Sequence, residues 1–289
     1  MSSNIAVNLI GETLNKELRE IENELDSDVV TIFASIYPDI EGAFSHMLDL
    51  KKKKRERLAI ILQTDGGYSP TAEKLVRRMR RDYNDISFII PNYAMSAGTI
   101  LALSGDRIYM GIDSALGPID PQINKKIGGE NEWVPAVSYM NKFEELVEKS
   151  RNNSLSPAEY MMMEKQFNLP ELERFKQSIE YTKDLLRLWL SQYKFKDWID
   201  KKTGKPKSQI EKTKRAEEIA DILNDQKVWH NHSRQIHRES LTNKVKLQID
   251  NIEDNPRLKK AMDSYWKLFV DFLCLIKSNK FLNSTEYFL

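Results

Sequence analysis

Four short apolar segments in the N-terminal part of the chain have the pattern of buried β-strands. They are rich in β-branched and aromatic residues and too short for typical helices; they span residues 29–37, 58–64, 87–92 and 107–112. A helix is predicted over residues 69–83, with Ser69 as its cap and Pro70 in its first turn, and a shorter apolar helix over residues 97–103. Continuously apolar strands that alternate with helices predict a parallel sheet covered on both faces.

After about residue 133 the apolar spacing becomes helical, and the pattern indicates no further convincing series of strands. The pattern predicts helices over residues 137–150, 156–167, 169–193, about 213–223 and about 256–277. We therefore expect an α/β core over residues 1–132 and a helical C-terminal region over residues 133–289 that completes or caps the core.

The composition is that of an ordinary globular protein. Hydrophobic residues make up 40% of the 289 residues, charged residues 30%, and the formal net charge is +1, so no overall charge favours nucleic acid or a membrane as partner. Cys274 is the single cysteine, which excludes an internal disulfide and suits a reducing compartment. Without a signal-like N-terminus or a run long enough to cross a bilayer, the sequence predicts a soluble cytoplasmic protein with no membrane span.

Two unusual runs receive structural interpretations. The basic run from Lys51 to Arg57 is interpreted as the solvated end of a helix, where cations complement the helix dipole, in preference to a phosphate-binding patch. The three consecutive methionines from Met161 to Met163 are interpreted as core and helix-contact residues in preference to a binding groove.

Two strand-to-helix turns could carry chemistry. In "TDGGYSP", Gly66 and Gly67 follow the second strand, so the loop is either a tight turn or a row of bare N–H groups facing an anion. In "AMSAGT", Ser96 begins a helix and has small neighbours, Ala97 and Gly98. A serine there is either a helix cap or a nucleophile, with the next N–H able to donate to an oxyanion.

Together, "LQTDGG" and "AMSAGTILALSGDRIYMGIDSALGPIDPQ" resemble the Clp-fold serine proteases. The closest resemblance is to the serine dehydrogenase proteinase family of the signal-peptide-peptidase-A-like branch. It implies a Clp/crotonase-like repeated β-β-α superhelix and a homo-oligomeric serine peptidase that cuts protein or peptide substrates without a cofactor or metal.

The same resemblance assigns roles to residues of the two turns. Ser96 would be the nucleophile, and the N–H groups of Gly67 and Ala97 would form the oxyanion hole, flanked by Gly66 and Gly98. The sequence departs from many family members in having Asp65 and Gly66 where they carry a proline before the final glycine.

A nucleophilic serine needs a base, and the histidine of Clp proteases has no counterpart here, because no histidine lies between His46 and His230. In the lysine-dependent relatives the base would fall at Ala136; the nearby lysines Lys125, Lys126 and Lys142 remain alternatives.

The segment "WHNHSRQI" resembles a C-terminal segment of the serine dehydrogenase proteinase family, which implies His232 as the base and Arg234 as a residue that holds a carboxylate or a substrate chain end. Asp120 is the candidate acid that orients the histidine, with Asp113 behind it.

Several alternatives stay open. His232 could instead pack against Trp229, or His230, His232 and His237 could bind a metal. For the whole protein, the alternatives are a catalytically weak or inactive Clp-fold scaffold that acts through protein–protein contacts and, ranked last, a crotonase-type acyl-coenzyme A enzyme.

Overall fold

The computed structural model describes residues 2–127 and 129–288. The strands are β1 (Asp28–Phe33), β2 (Arg57–Gln63), β3 (Asp85–Ile90), β4 (Tyr93–Ala94), β5 (Arg107–Met110), β6 (Ala115–Leu116), β7 (Gln122–Ile127), β8 (Glu130–Pro135), β9 (Ile236–His237), β10 (Asp250–Asn251), β11 (Phe281–Ser284) and β12 (Tyr287–Phe288).

The helices are α1 (Ser2–Leu25), α2 (Glu41–Leu50), α3 (Ser69–Asp82), α4 (Ala97–Ala102), α5 (Ala136–Arg151), α6 (Pro157–Gln166), α7 (Leu169–Trp189), α8 (Gln209–Asn224), α9 (Gln226–Trp229), α10 (Arg238–Asn243) and α11 (Pro256–Ile276). A π-helical turn, Leu190–Lys194, continues α7. Short 3₁₀ turns precede α2 and α11, at Pro38–Ile40 and Ile252–Asp254.

The centre of the molecule is a seven-stranded sheet in the order β10-β5-β3-β2-β1-β11-β12. The four strands predicted from the sequence form its middle and run parallel. Val30, Ile60 and Phe88 face one core, while Ala59 and Ile89 face a second core. Burial on both faces is the reason these strands are apolar throughout. The α/β prediction with a helical extension is confirmed.

Helices cover both faces of this sheet. On one face, Leu14 and Leu18 of α1 pack with Phe269 of α11 against the strands. On the other face lie apolar residues of α2, α3, α4, α7 and α8. The predicted helix at residue 69 is α3, but Tyr68 occupies its N-cap position, and Ser69 is already helical.

The sequence predicts no convincing strand series in the C-terminal part, but the structure has short strands there. Strands β10, β11 and β12 join the central sheet, and β9 joins a smaller one. These strands have only two to four residues, and Asn283 and Ser284 of β11 are polar yet fully buried, so no apolar alternation marks them. The expected domain boundary between residues 132 and 133 falls inside β8.

The basic run fits its interpretation except at its first residue. Residues 52–54 are exposed just beyond the end of α2, whereas Lys51 is buried and forms ion pairs with Glu22 and Asp28. Because two carboxylates neutralise it, the interior can hold this ammonium group. Helix α6 has no buried residue, and Met161 and Met162 are 54% and 62% exposed, so the methionine run is not core.

A small sheet, β4-β6-β9, extends the carboxyl ends of the central strands. Thr64, just after β2, bridges to Ala94 of β4, and Ile36, beyond β1, bridges to Gly67. The loops that follow β1, β2 and β4 therefore meet at one edge of the molecule. In the described parts of the chain, every helix is too short or too polar to cross a bilayer.

Candidate active site

The loop after β2 is held open by its neighbours. Gly66 O accepts a hydrogen bond from Ile36 N at 2.8 Å, and Tyr68 N donates to Ile36 O at 2.7 Å. Since successive residues of an extended segment point their backbone groups to opposite sides, the N–H of Gly67 faces away from Ile36. Thr64 Oγ1 accepts from Gly66 N at 3.0 Å and completes the turn.

Both glycines of this loop have conformations that other residues rarely adopt. Gly66 has φ +106° and Gly67 has φ +144°. A Cβ on Gly66 would lie 2.8 Å from Ser96 Cβ, and one on Gly67 would lie 2.4 Å from Ile36 O. The loop therefore approaches the Ser96 turn more closely than any larger residue would allow.

Ser96 lies in a strained turn between β4 and α4. Its φ of 51° and ψ of −116° are unusual for a residue with a side chain, and its hydroxyl does not cap the helix. The helix-cap interpretation of Ser96 is thus not what the geometry shows. Strained backbone of this kind concentrates at functional sites, where surrounding contacts hold a side chain in a set direction.

Two backbone N–H groups lie free beside this serine. Across residues 2–127 and 129–288, neither Gly67 N nor Ala97 N has a hydrogen-bond acceptor. Ala97 is the first residue of α4, where N–H groups lack helical acceptors, whereas Gly98 N donates to Met95 O at 2.7 Å. Gly98 instead serves packing, because a Cβ there would lie 2.2 Å from Thr64 Cγ2.

A histidine and a carboxylate from distant parts of the chain meet in the same region. His232 Nδ1 lies 2.9 Å from Asp120 Oδ1, and Asp120 is fully buried while the His232 side chain is 23% exposed. Because an ionised carboxylate only accepts hydrogen bonds, the Asp120 carboxylate form pairs with the His232 tautomer that carries its proton on Nδ1 and leaves Nε2 as the basic ring nitrogen.

Two glutamines complete the surroundings of Asp120. Its Oδ2 accepts from Gln226 Nε2 at 2.6 Å and from Gln122 Nε2 at 2.9 Å. Ser138 Oγ in turn donates to Gln226 Oε1. The buried carboxylate is therefore hydrogen-bonded through both oxygens, which fixes its plane relative to the imidazole.

The backbone around the pair is fixed by long-range contacts. Ile119 N donates to Leu223 O at 3.1 Å, just before Asp120. On the other side, β9 pairs with β6 through Ile236 and Leu116, just after His232. Trp229 is buried and donates its indole N–H to Ile222 O at 2.7 Å, so it does not replace Asp120 as the partner of the histidine.

A cleft of about 820 Å³ joins these groups. Ser96, Gly67 and His232 all line it, and its walls are both aromatic and polar: Tyr37, Tyr68, Ile100, Ile119, Trp133, Tyr181, Thr182, Gln226 and His230 contribute to them. A cleft of this size with a few convergent polar groups is suited to part of a peptide chain.

The alternative lysines lie elsewhere or are already paired. Lys125 Nζ contacts Tyr139 Oη, Gln166 O and Glu171 Oε2; burial lowers its pKa, but the hydrogen bonds to Tyr139 and Glu171 raise it further than burial lowers it. Lys142 pairs with Glu145 at the surface, and Lys126 is exposed on β7. None of these three lysines lines the cleft.

Other predicted residues are also outside the cleft. Arg234 is exposed and does not line it, and neither does the exposed Asp113. His237 Nδ1 lies 3.1 Å from Ser114 O instead of joining His230 and His232. Within the described residues, no group of three histidine, cysteine or acidic side chains is placed to hold a metal ion.

Sequence reasoning missed the glutamines that surround Asp120. Gln122 ends the quoted segment "GPIDPQ", and Gln226 opens α9, but an amide side chain carries no motif of its own. Gln226 lies only six residues before His232 in the sequence, and this spacing is the one available signal.

Comparison with known proteins gives partial matches. Two uncharacterized proteins of Methanocaldococcus jannaschii are similar to this chain. The first is 28% identical over 123 residues, which cover 38% of this chain and 43% of that protein. The second is 31% identical over 96 residues, which cover 33% of this chain and 30% of that protein. The chain therefore spans less than half the length of either relative.

Among solved structures, two mutant forms of the 1510-N membrane-bound stomatin-specific protease, one with a substrate peptide, are 20% and 22% identical, each with a TM-score of 0.33. Each match covers 42% of this chain, and the two matches cover 62% and 59% of the respective solved chains. The ClpP protease catalytic domain from Plasmodium falciparum is 14% identical with a TM-score of 0.27, covering 31% of this chain and 53% of that one.

The family model for ClpP-like SDH-type serine proteinases matches residues 48–149. That range includes β2, β3 and β5 of the parallel sheet, the Gly66–Gly67 loop, Ser96 and Asp120. The match agrees with the Clp-like fold expected from the sequence, and it makes residues 48–149 of this chain similar to the ClpP-like SDH-type serine proteinase family.

Proposed function

We propose that the protein is a serine peptidase that hydrolyses peptide bonds in protein or peptide substrates. The observation that carries the proposal is that Ser96 and His232 line the same cleft, and that Asp120 is hydrogen-bonded to His232. The family of the matched segment is one of serine proteinases, which agrees with this chemistry.

Each group would have one role in the reaction. Ser96 Oγ attacks the peptide carbonyl carbon while His232 Nε2 takes its proton, and Asp120 stabilises the imidazolium that forms. The N–H groups of Gly67 and Ala97 donate to the oxyanion. His232 then gives its proton to the leaving amine, and a water molecule, activated in the same way, releases the acyl group from Ser96.

A second candidate is a catalytically inactive scaffold of the same fold. The observation that favours it is that Ser96 Oγ has no hydrogen-bond partner among the described residues, so the link from serine to histidine is open in this structure. In many hydrolases this bond tightens only when substrate binds, which is why we rank the peptidase first.

Hydrolysis of a fluorescently labelled unfolded protein, such as casein, separates the two candidates. The peptidase predicts turnover by the wild type and a loss of roughly 10³-fold or more for Ser96→Ala and for His232→Ala. Ser154→Ala and His46→Ala are matched controls, because both side chains are exposed and outside the cleft. Absence of turnover in wild-type protein that is folded would favour the scaffold.

We also propose a homo-oligomer in the cytoplasm. The single cysteine, Cys274, supports a reducing compartment. A set of exposed apolar side chains, which includes Trp133 at 65% and Tyr160 at 62% exposure, supports the oligomer. Light scattering on the purified chain checks the oligomer; a monomer at all concentrations contradicts it.

A further inference from the structure

A second large cleft lies beside β5 and is lined by Asp106, Arg107 and Tyr109 among others. Its volume is about 890 Å³, and it is bounded by β5, β10, α10 and the π-helical turn after α7. None of its lining residues lines the Ser96 cleft. The proposed peptidase mechanism uses no residue of it, so its chemistry needs a separate account.

Two cationic side chains that line this cleft, Lys194 and Arg238, lack a direct hydrogen bond or ion pair within the described residues. Arg238 Nε is buried without an acceptor among residues 2–127 and 129–288. Buried polar groups in native proteins are nearly always paired, so an unpaired donor that faces a cavity indicates a missing acceptor.

Most other charges of the cleft are already engaged or exposed, whereas Asp250 is half-buried and acts electrostatically on Lys194 and Arg107 without an ion pair. Asp106 accepts from Arg80 and lies 2.6 Å from Lys196 Nζ, while Arg215 pairs with Glu218. Of the remaining acids, Asp197, Asp250 and Asp254, none forms an ion pair with Lys194 or Arg238. Arg107 and Lys246 add further positive charge to the lining.

Burial is the main influence on the Lys194 ammonium group. Burial and, to a smaller extent, Arg107 lower the pKa of Lys194 to about 8, although Asp250 and Asp106 act in the opposite direction. An anion bound beside the ammonium group would restore the charged form.

We propose that this second cleft binds a small organic phosphate, with Lys194 and Arg238 as its phosphate ligands. A guanidinium can donate to two oxygens of one anion, and a phosphate offers a third oxygen for the ammonium group, which a carboxylate lacks. The cleft is much larger than a phosphate alone, and Tyr109 and Trp198 provide apolar surface for the organic part.

Isothermal titration calorimetry with pyrophosphate tests the phosphate ligands directly, and citrate serves as the carboxylate comparison. Saturable binding of pyrophosphate to the wild type is expected, with the Kd raised about tenfold or more in Lys194→Met and in Arg238→Gln. Lys142→Gln is the charge-matched control, because Lys142 is an exposed lysine outside both clefts, and its Kd should equal that of the wild type.

Thermal melting is a second test, which is informative even when a substitution changes the stability of the protein. In phosphate-free buffer, Lys194→Met should melt above the wild type, because it removes an uncompensated cation, and pyrophosphate should raise the melting temperature of the wild type alone. The proposal is overturned by lack of saturable binding up to roughly 10 mM, by equal Kd values in wild type and variants, or by tighter binding of citrate.

Discussion

Gly67 shows at the scale of one residue why the loop after β2 must contain glycine. Its φ is +144°, and a Cβ at this position would lie only 2.4 Å from Ile36 O, so there is no space for a side chain. We expect Gly67→Ala to shift the loop, move the Gly67 N–H and lower kcat/KM for peptide hydrolysis by about 10²- to 10³-fold.

The matched control for this prediction is Gly42→Ala. A Cβ at Gly42, in α2, meets no atom within 4 Å, so this variant should keep the activity of the wild type. Full activity of a folded Gly67→Ala protein would remove the Gly67 N–H from the proposed oxyanion hole.

Gln226 acts on the histidine through Asp120, and we expect it to be a positioning residue. Its 2.6 Å hydrogen bond to Asp120 Oδ2 is lost in Gln226→Leu, which leaves the buried carboxylate with one donor fewer and less firmly oriented. Steady-state kinetics should show kcat reduced about tenfold. Gln235→Leu, an exposed glutamine in the same loop region, is the control, and equal losses in both variants would contradict the role.

The sequence predicts the candidate site residues on two grounds. The turns that contain Gly67 and Ser96 mark both as candidates, and the family resemblance implies their roles and that of His232, with Asp120 as its candidate acid. Gln226 is not predictable because its role depends on a tertiary contact with a residue 106 positions away, and Gln122, two residues after Asp120, carries no motif that marks it. Arg234 was named on the same grounds as His232, yet its side chain is exposed outside the cleft.

At the scale of elements, long apolar patterns were predictable and short polar ones were not. The helix predicted over residues 256–277 is α11, Pro256–Ile276, because a 21-residue amphipathic helix repeats its apolar spacing several times. Strand β10 has two residues and pairs with β5 only through tertiary contact. The same applies to β9, which the sequence could not predict although it fixes the position of the His232 loop.

Asp106 connects α3, β3 and the segment after the π-helical turn. Its Oδ2 accepts from Ile86 N at 2.8 Å and from Arg80 Nη1 at 2.8 Å, and Lys196 Nζ lies 2.6 Å from Oδ1. Burial raises the pKa of Asp106, but the hydrogen bonds from Lys196, Ile86 and Arg80 lower it more, so the folded-state pKa lies below the ordinary value.

A carboxyl group whose pKa is lowered by folding stabilises the protein above its ordinary pKa and loses that effect as the pH falls. Asp106→Asn should therefore reduce the free energy of unfolding by about 3 kcal/mol at pH 7, with a smaller difference below about pH 4. Urea denaturation at the two pH values measures this, with the exposed Asp271→Asn as control. A difference independent of pH would show that charge pairing is not the cause.

At the scale of the whole molecule, the site combines two distant parts of the chain. Ser96 and Asp120 lie within the segment that matches the serine proteinase family, whereas His232 lies 83 residues beyond its end at residue 149. The contact from Ile119 to Leu223 and the pairing of β6 with β9 bring the two parts together. The helical C-terminal region therefore contributes directly to the proposed catalytic centre.

Fluorophosphonate labelling followed by mass spectrometry of the digested protein tests whether Ser96 is an activated nucleophile. We expect one modified serine, Ser96, with no labelling in Ser96→Ala and strongly slowed labelling in His232→Ala. Labelling that persists in Ser96→Ala, or a folded wild-type protein that does not react, would contradict the claim that Ser96 is an activated nucleophile.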